Sequence, residues 1–233
     1  MSTIKVMSAG AVQAMVTALG GEFERESGHK VSATFNTAGA LRERFLAGDI
    51  PDVLIVPSSS IEVLEKAGHF IPGSRVDLGR TVTGVVVRAG SAVPDISTPE
   101  AFKRALLAAK TVSYTDPEAG GSSGKFFVGL LARLGIADEI ARKAVMGARG
   151  HEVAQLVADG HAELGTTFIS EILTVPGAQV VGPLPGDLHN ANSYTAAIPV
   201  RASDPEGARA LIVKLTDPAS RTRWTQAGLE PAF

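Results

Sequence analysis

Short apolar runs alternate along the chain with longer segments in which apolar residues recur at every third or fourth position. IKVM, from Ile4, precedes a segment of this second kind over 11–27, and DVLIVP, from Asp52, is apolar almost throughout. Short apolar runs predict strands, and a recurrence of three to four residues predicts amphipathic helices. A strand that is apolar on both faces is typical of a parallel sheet covered by helices. The alternation therefore predicts an α/β protein.

The same patterns place the remaining elements. Strands are predicted at 31–35, 81–89, 111–114, 162–168, 179–184 and 193–200. Helices are predicted at 40–47, 59–67, 99–109, 137–146, 151–159, 205–215 and 218–228, with one more that follows a Gly/Ser-rich segment and ends at Leu134. Up to Ala67, each strand is followed by a helix, and this order predicts parallel strands.

Composition removes several classes of function. The chain has 233 residues, of which 45% are hydrophobic, so it can form one large domain or two small ones. The net charge of −2 gives no general attraction to nucleic acid. The lack of cysteine excludes disulfides and thiolate sites. The five histidines show no metal-ligand spacing, so we expect no metal and no cofactor.

The sequence also carries an expectation about location. No run of 18 apolar residues occurs, so we expect no insertion into a membrane. The opening MSTIKVMSAGAV lacks the basic segment, apolar segment and cleavage site of a secretory signal. The expected location is the cytoplasm as the sequence stands, or the periplasm if a signal peptide has been removed.

The segment DPEAGGSSGKFF, over 116–127, joins a predicted strand to a predicted helix. Its glycines permit tight turns and the close approach of a ligand, and Ser122 and Ser123 can cap the helix or donate hydrogen bonds. The first turn of a helix has unpaired N–H groups and a partial positive charge, which suit a small anion. The alternative is a surface turn that only caps the helix.

Small or hydroxyl-bearing residues occupy five strand-to-helix junctions. In an open α/β sheet such junctions gather at the carboxyl ends of the strands, where ligands bind. Together they predict a polar, backbone-rich pocket for a small ligand, unless they only permit tight turns and caps. The junctions are Ser8–Gly10, Asn36–Ala40, Ser58–Ser60, Ser122–Ser123 and Gly165–Thr167.

Titratable candidates lie in GARGHEVAQL and PGDLHNANSY. Arg149 can bind a carboxylate with two hydrogen bonds, His151 titrates near neutral pH, and Glu152 can act as a base if its pKa is raised. The alternative is a solvated loop with an acidic first helical turn. His189 precedes the strand that contains Tyr194, and either faces the site or forms a turn.

The order of several segments carries a family resemblance. The opening IKVMSAGAVQAMVTALGGEFERESGHKV is followed by FNTAGAL, AGDIPDVLIVPSS, DPEAGGSSG, DGHAELGTTFISE and AGLEPAF. From Ile4 to Phe233 the chain resembles the type II periplasmic solute-binding proteins, in particular their molybdate-binding branch. The resemblance implies two Rossmann-like α/β lobes with mixed sheets, joined by a hinge of two strands.

The resemblance also implies boundaries and a site. Lobe 1 would hold 1–80 and 196–233, lobe 2 would hold 84–192, and the hinge would lie near 79–84 and 192–197. The ligand would lie in a cleft between the lobes. The junctions and the resemblance together predict these ligand-binding residues: Ser8, Ala9, Gly10, Ala11, Thr37, Ala38, Gly39, Ser58, Ser122, Ser123, Gly124, Arg149, His151, Thr166, Thr167 and Tyr194.

Three departures from the family pattern bear on the ligand. Molybdate binders usually offer a serine hydroxyl in each of the first two loops, and those positions fall here near Ala11 and Ala38. Phe168 stands where family members often have tyrosine. Because a charged Arg149 or His151 better suits a carboxylate, we expect a small organic acid rather than molybdate.

Two functions follow as hypotheses. The first is a monomeric binding protein for a small anion, which serves an ABC permease if it is exported and binds no nucleic acid. The second is an isomerase on the same scaffold, which moves a double bond in an unsaturated acid such as aconitate. In that case Glu152, His151 or His189 would transfer the proton, and loop amides and hydroxyls would stabilise the developing negative charge.

Overall fold

A computed structural model describes the whole chain, residues 1–233. Contacts between Cα atoms divide it into two units. Unit 1 comprises Met1–Arg80 and Asn192–Phe233, and unit 2 comprises Thr81–Ala191. The chain therefore passes from one unit to the other twice. Each unit combines a mixed sheet with helices, which confirms the predicted α/β class.

The strands are mostly short, and their bounds fall close to the apolar runs. They are β1 Thr3–Ala9, β2 Lys30–Asn36, β3 Val53–Pro57, β4 Val76–Arg88, β5 Val112–Thr115, β6 Ala144–Gly147, β7 Leu164–Phe168, β8 Ala178–Pro183, β9 Ala191–Ala197 and β10 Glu230–Pro231.

The helices follow the segments with a recurrence of three to four residues. They are α1 Gln13–Ser27, α2 Ala38–Leu46, α3 Ser58–Lys66, α4 Pro99–Ala108, α5 Ser122–Leu134, α6 Ala137–Ala141, α7 Gly150–Ala158, α8 Ile169–Ile172, α9 Pro205–Leu215 and α10 Arg221–Gln226. Short 3-10 turns occupy Gly10–Val12, Pro117–Ala119, Gly186–Leu188 and Pro218–Ser220. Every helix is too short or too polar to cross a membrane.

In unit 1 the strand order is β2-β1-β3-β9. β1 is parallel to both β2 and β3, whereas β9 runs antiparallel to β3. All five residues of β3 are buried, as its continuous apolar sequence predicts. One cluster of the core packs Leu54 and Val56 of β3 against Leu41 and Phe45 of α2 and Ile61 of α3.

In unit 2 the order is β6-β5-β7-β4, and β8 pairs with the other side of β4. β5 is parallel to β6 and β7, and β4 is antiparallel to β7 and β8. The main core packs Val112 of β5 and Leu164 of β7 against Phe102 of α4 and Phe127 of α5. Four buried residues of α7, Gly150 among them, lie against the other face.

One predicted helix is wrong. The helix expected over 137–146 ends at Ala141, and Ala144–Gly147 instead forms β6. Pairing with β5 satisfies backbone groups that would otherwise be unpaired, for example through Val112 N–H to Lys143 O at 3.0 Å. The Lys143 ammonium also donates to the carbonyls of Leu107 and Ala109, at 2.7 Å each. Long-range pairing here overrides a local pattern that suited either structure.

Candidate functional site

In unit 1 the junction residues follow three adjacent strands at the same level. Ala9 pairs with Asn36 across β1 and β2, and Ser8 pairs with Ile55 across β1 and β3. Because parallel strands end at one edge of a sheet, the following loops lie side by side. We call Ser8–Ala11, Thr37–Gly39 and Ser58 the unit 1 loop cluster. Tyr194 pairs with Pro57, so it lies level with this cluster on the antiparallel strand β9.

The side chains of the unit 1 loop cluster are small, and their hydroxyls already have partners. Ser8 Oγ donates to Ala9 O at 3.2 Å, and the Thr37 side chain accepts a hydrogen bond from the N–H of Ala40 at 3.3 Å. Ser58 Oγ lies 2.8 Å from Thr195 Oγ1, which donates to Asp77. What the cluster offers to a ligand is therefore chiefly backbone N–H groups at the start of the 3-10 turn that precedes α1 and at the start of α2.

Unit 2 repeats this arrangement on its own strands. Thr115 of β5 pairs with Gly147 of β6, and Tyr114 pairs with Thr166 of β7. The segments that follow these strands therefore start at one edge of the sheet. We call Ser122–Gly124, Arg149–Glu152 and Thr166–Glu171 the unit 2 loop cluster.

The Gly/Ser segment fixes the start of α5 against β5. Ser123 is buried, and its Oγ lies 3.1 Å from Thr115 Oγ1. A Cβ atom on Gly124 would lie 2.0 Å from Thr115 O, so glycine is required by the close approach of the backbone. Ser122, the first residue of α5, is half-buried and is the more accessible of the two serines.

Arg149 and Glu152 form an ion pair at the start of α7. Glu152 Oε1 accepts from both Nε and a terminal nitrogen of Arg149, at 2.8 Å each, and Oε2 accepts from Ala148 N–H at 2.9 Å. Burial opposes ionisation of Glu152, but the hydrogen bonds and charge of Arg149 outweigh it and lower its pKa. The raised pKa required for a base is therefore not found at Glu152.

His151 lies between these two residues and is half-buried. Burial, together with the positive charge of Arg149, lowers its pKa, and the nearby Glu152 carboxylate opposes this only in part. The imidazole is thus held mainly neutral at pH 7, a form that can donate one hydrogen bond and accept another.

Glu171, the acidic residue of α8, was not among the site residues predicted from the sequence. Glu171 is 7% exposed, and its Oε2 accepts a hydrogen bond from Thr167 Oγ1 at 2.9 Å. Burial raises its pKa to about 7, although hydrogen bonds from Thr167 and from Phe168 N–H oppose the shift. The segment FISEILTV did contain a signal of a buried acid, because Glu171 is its one charged residue among apolar neighbours. The same pattern also fits an ordinary helix start with an acidic first turn.

Gly150 explains how Glu171 fits into the cluster. A Cβ atom on Gly150 would lie 1.8 Å from Glu171 Oε2 and 2.4 Å from Thr167 Oγ1. The first residue of α7 therefore contacts the buried carboxyl group directly, and only glycine leaves room for it. Nearby, the buried hydroxyls of Thr166 and Ser170 have no hydrogen-bond partner.

The described contacts do not join His189 to the titratable residues of α7. Its side chain is exposed, and its backbone N–H donates to Gly186 O at 3.2 Å. The neighbouring Asn190 holds this loop on β4, because its Nδ2 donates to Thr83 Oγ1 at 3.0 Å and its carbonyl accepts from Thr83 N–H. No group of three or more His, Asp or Glu side chains is placed to hold a metal ion.

Loops of this kind, with helix starts at the carboxyl ends of strands, are where open α/β sheets bind their ligands. The chain belongs to the family of bacterial extracellular solute-binding proteins, whose family model matches residues 4–230. The match spans nearly all of the chain and confirms the resemblance inferred from its segments.

Two characterised relatives match most of the chain. It is 29% identical over 235 residues to an aconitate isomerase from a Pseudomonas species, and the match covers 99% of this chain and 88% of that protein. It is 28% identical over 221 residues to the molybdate-binding protein ModA from Azotobacter vinelandii, with 92% and 84% covered. The molybdate-binding-like branch is thereby supported.

Solved structures support the same fold. The substrate binding domain of a putative molybdenum ABC transporter from Clostridium difficile matches with a TM-score of 0.73 and 16% identity, over 100% of both chains. At this identity the likeness concerns the fold alone, which is that of the type II periplasmic binding proteins.

Proposed function

We propose that this protein binds a small organic anion with the backbone N–H groups and hydroxyls of its two loop clusters. The observation that carries the proposal is the strand register, which sets several helix starts level at one edge of the sheet in each unit. Partial positive charge and unpaired N–H groups gather at such starts. The cleft between lobes expected from the resemblance stays a prediction.

A carboxylate ligand is favoured over molybdate by the chemistry of the unit 2 loop cluster. The Arg149 side chain remains 42% exposed beside Glu152, so the N–H groups of its guanidinium that Glu152 does not engage can bind a second carboxylate. Ala11 and Ala38, at the two positions where a molybdate binder usually has serine, provide no hydroxyl. If the protein is exported, an ABC permease is the partner that would receive the solute.

Isothermal titration calorimetry with trans-aconitate, citrate, sulfate and molybdate tests this proposal. We expect at least one of the two organic acids to bind at least tenfold more tightly than molybdate. Arg149→Gln should weaken that binding, whereas Arg142→Gln, an exposed arginine on the same unit, should not. Tighter binding of molybdate, or no heat from any of the four anions, would contradict the proposal.

A second candidate function is the isomerisation of an unsaturated carboxylic acid. It is favoured by the similarity to an aconitate isomerase over 99% of the chain and by the buried carboxyl group of Glu171, whose pKa of about 7 suits proton exchange near neutral pH. Incubation of the protein with cis-aconitate, followed by NMR, tests it. The appearance of trans-aconitate supports an isomerase, and an unchanged spectrum with tight binding leaves the binding protein.

A further inference from the structure

A buried carboxyl group without a neighbouring cation lies within the unit 2 loop cluster. We propose that Glu171 sets the anion affinity of this cluster through a single proton: the neutral carboxylic acid permits anion binding, and its ionisation weakens it. The inference rests on the proposed function and makes Glu171 a positioning residue, which contacts the first residue of α7, Gly150.

The geometry places Glu171 under the start of α7 rather than on the surface. Its side chain contacts Gly150 and accepts from Thr167 Oγ1, and both residues belong to the cluster. Glu171 makes no ion pair, and the arginine at the N-cap of α7, Arg149, is paired with Glu152 instead. An ionised Glu171 would therefore be a buried negative charge without a counter-charge, which is costly.

The elements around α8 supply few other charges. It packs against α7, β7 and β8, and β7 and β8 have no titratable side chain. α7 contributes His151 and Glu152, with Arg149 at its N-cap. β4 lies beside β7, and the only titratable side chain in its unit 2 part is that of Arg88. In the strand register Arg88 lies opposite Ala178 of β8. Phe168, which precedes α8, lies opposite Thr83, near the other end of this part of β4.

An anion bound at the start of α7 would change the ionisation of Glu171. A second negative charge within several ångströms disfavours an ionised carboxylate and so raises its pKa. In the protein without a bound anion, Glu171 is about half ionised near pH 7, because burial raises its pKa to about 7. Binding above this pH must therefore take up a proton, and the affinity should fall as the pH rises.

Calorimetric titrations from pH 5.5 to 9 measure this coupling. The probes are trans-aconitate and sulfate, since the charge of sulfate is constant over this range. In the wild-type protein we expect the affinity for the bound probe to fall by up to about tenfold per pH unit above pH 7, with uptake of up to one proton. Glu171→Gln should retain the affinity of the wild type at low pH and remove this dependence.

His151 is the alternative source of a pH effect, and His151→Gln separates the two. We expect the midpoint near pH 7 to persist in His151→Gln. A midpoint that vanishes in His151→Gln and persists in Glu171→Gln would overturn the inference. If Glu171→Gln does not fold, Thr167→Val tests the inference instead. The Thr167 hydroxyl donates to Glu171 and favours its ionised form, so its loss should move the midpoint of the pH dependence to a higher pH.

A measurement without any ligand distinguishes this inference from the proposed function. The backbone amide signal of Gly150 in NMR spectra should titrate near pH 7 in the wild type and in His151→Gln, but not in Glu171→Gln. If the amide titrates in this way but neither probe binds in calorimetry, Glu171 is the group that titrates in the unit 2 loop cluster and the proposed function is wrong. An amide signal that titrates unchanged in Glu171→Gln would overturn the inference even where an anion binds.

Discussion

The two loop clusters are built on the same plan from different chemistry. In unit 1 the candidate residues are alanine, glycine, serine, threonine and one tyrosine, without any acidic or basic side chain. In unit 2 the corresponding loops carry Arg149, His151, Glu152 and the buried Glu171. Both clusters follow parallel strands that end at the same level, so the difference arises from the side chains and not from the topology.

This difference separates two tasks in anion recognition. Neutral N–H and hydroxyl donors can bind an anion at any pH, because their protonation does not change between about pH 5 and 9. A cluster that contains an arginine, a histidine and a buried carboxyl group can select for charge and can respond to pH. Unit 1 is thus expected to supply general anion affinity, and unit 2 to supply selectivity and pH dependence.

The largest expected effect is that of Gly124→Ala, which breaks the start of α5 in unit 2. The new Cβ atom would lie 2.0 Å from Thr115 O and 2.8 Å from Thr115 C, and this backbone belongs to a buried strand. We expect the free energy of unfolding to fall by about 3 kcal/mol, as in strongly overpacked sites. Chemical denaturation measures it.

Gly129→Ala is the matched control on the same helix. A Cβ atom at Gly129 meets no other atom within 4 Å, so the substitution should stabilise α5 by about 0.5 to 1 kcal/mol. Equal effects of the two substitutions would show that helix propensity, and not the contact with Thr115, decides the stability at Gly124.

A second prediction concerns the stability of the fold against pH. The pKa of Glu171 is raised from 4.5 to about 7, so the native state binds the proton more tightly than the unfolded chain. The stabilisation from neutral Glu171 is complete below pH 4.5 and is lost as the pH rises to about 7. At about 1.4 kcal/mol per pH unit, the loss is roughly 3 kcal/mol.

Glu171→Gln keeps the shape of the side chain and removes this titration. Denaturation between pH 4.5 and 8 should show that the variant loses less stability than the wild type, by roughly 3 kcal/mol across the range. Parallel curves for the two proteins would mean that burial does not raise the pKa of Glu171, and unit 2 would then lose the buried neutral acid from which its pH dependence is expected.

A third prediction tests the neutral character of unit 1 by adding a hydroxyl. Ala38→Ser places a donor at the first residue of α2, a half-buried position near which the family resemblance places a serine of molybdate binders. A hydrogen bond to a charged group contributes about 1.5 to 3 kcal/mol, so the affinity for molybdate should rise at least tenfold. Calorimetry at pH 6 and pH 8 should give the same gain at both values, since a serine hydroxyl does not titrate in this range.

Ala40→Ser, two residues further along α2, serves as its control. The N–H of Ala40 is already bonded to Thr37, so the position belongs to the cap of the helix. A similar gain at Ala40, or no gain at Ala38, would show that the start of α2 does not contact the anion.

The sequence predicted unit 1 more completely than unit 2. In unit 1 the apolar run of β3 and the period of α1 match the observed bounds closely, because both elements follow from local burial patterns. In unit 2 the segment over 137–146 has a pattern that suits a helix, but its last residues pair with β5 and form the strand β6. Pairing with a distant strand leaves little trace in a local pattern.

The site shows the same limit. The positions of Ser123, Gly124 and Arg149 at helix starts could be predicted from residue type, because glycine and serine there permit a tight turn and cap a helix. Glu171 could not be predicted in this way, because its importance depends on burial and on its contact with Gly150, which lies 21 positions earlier in the chain. A raised pKa is a property of surroundings that only the fold assembles.

The smallest expected effect concerns the cap of α2. Thr37 Oγ1 accepts a hydrogen bond from the N–H of Ala40, and loss of such a cap costs about 1 kcal/mol. Thr37→Val should therefore lower the free energy of unfolding by that amount, whereas Thr37→Ser keeps the hydroxyl and should not. If Thr37 acts only as a cap, anion affinity will change little in either variant at any pH. If affinity instead falls at least fivefold in Thr37→Val and is kept in Thr37→Ser, the hydroxyl also contacts the anion, and the loss should be equal at pH 6 and pH 8. A loss that depends on pH would contradict the division of tasks, because nothing at this position titrates in that range.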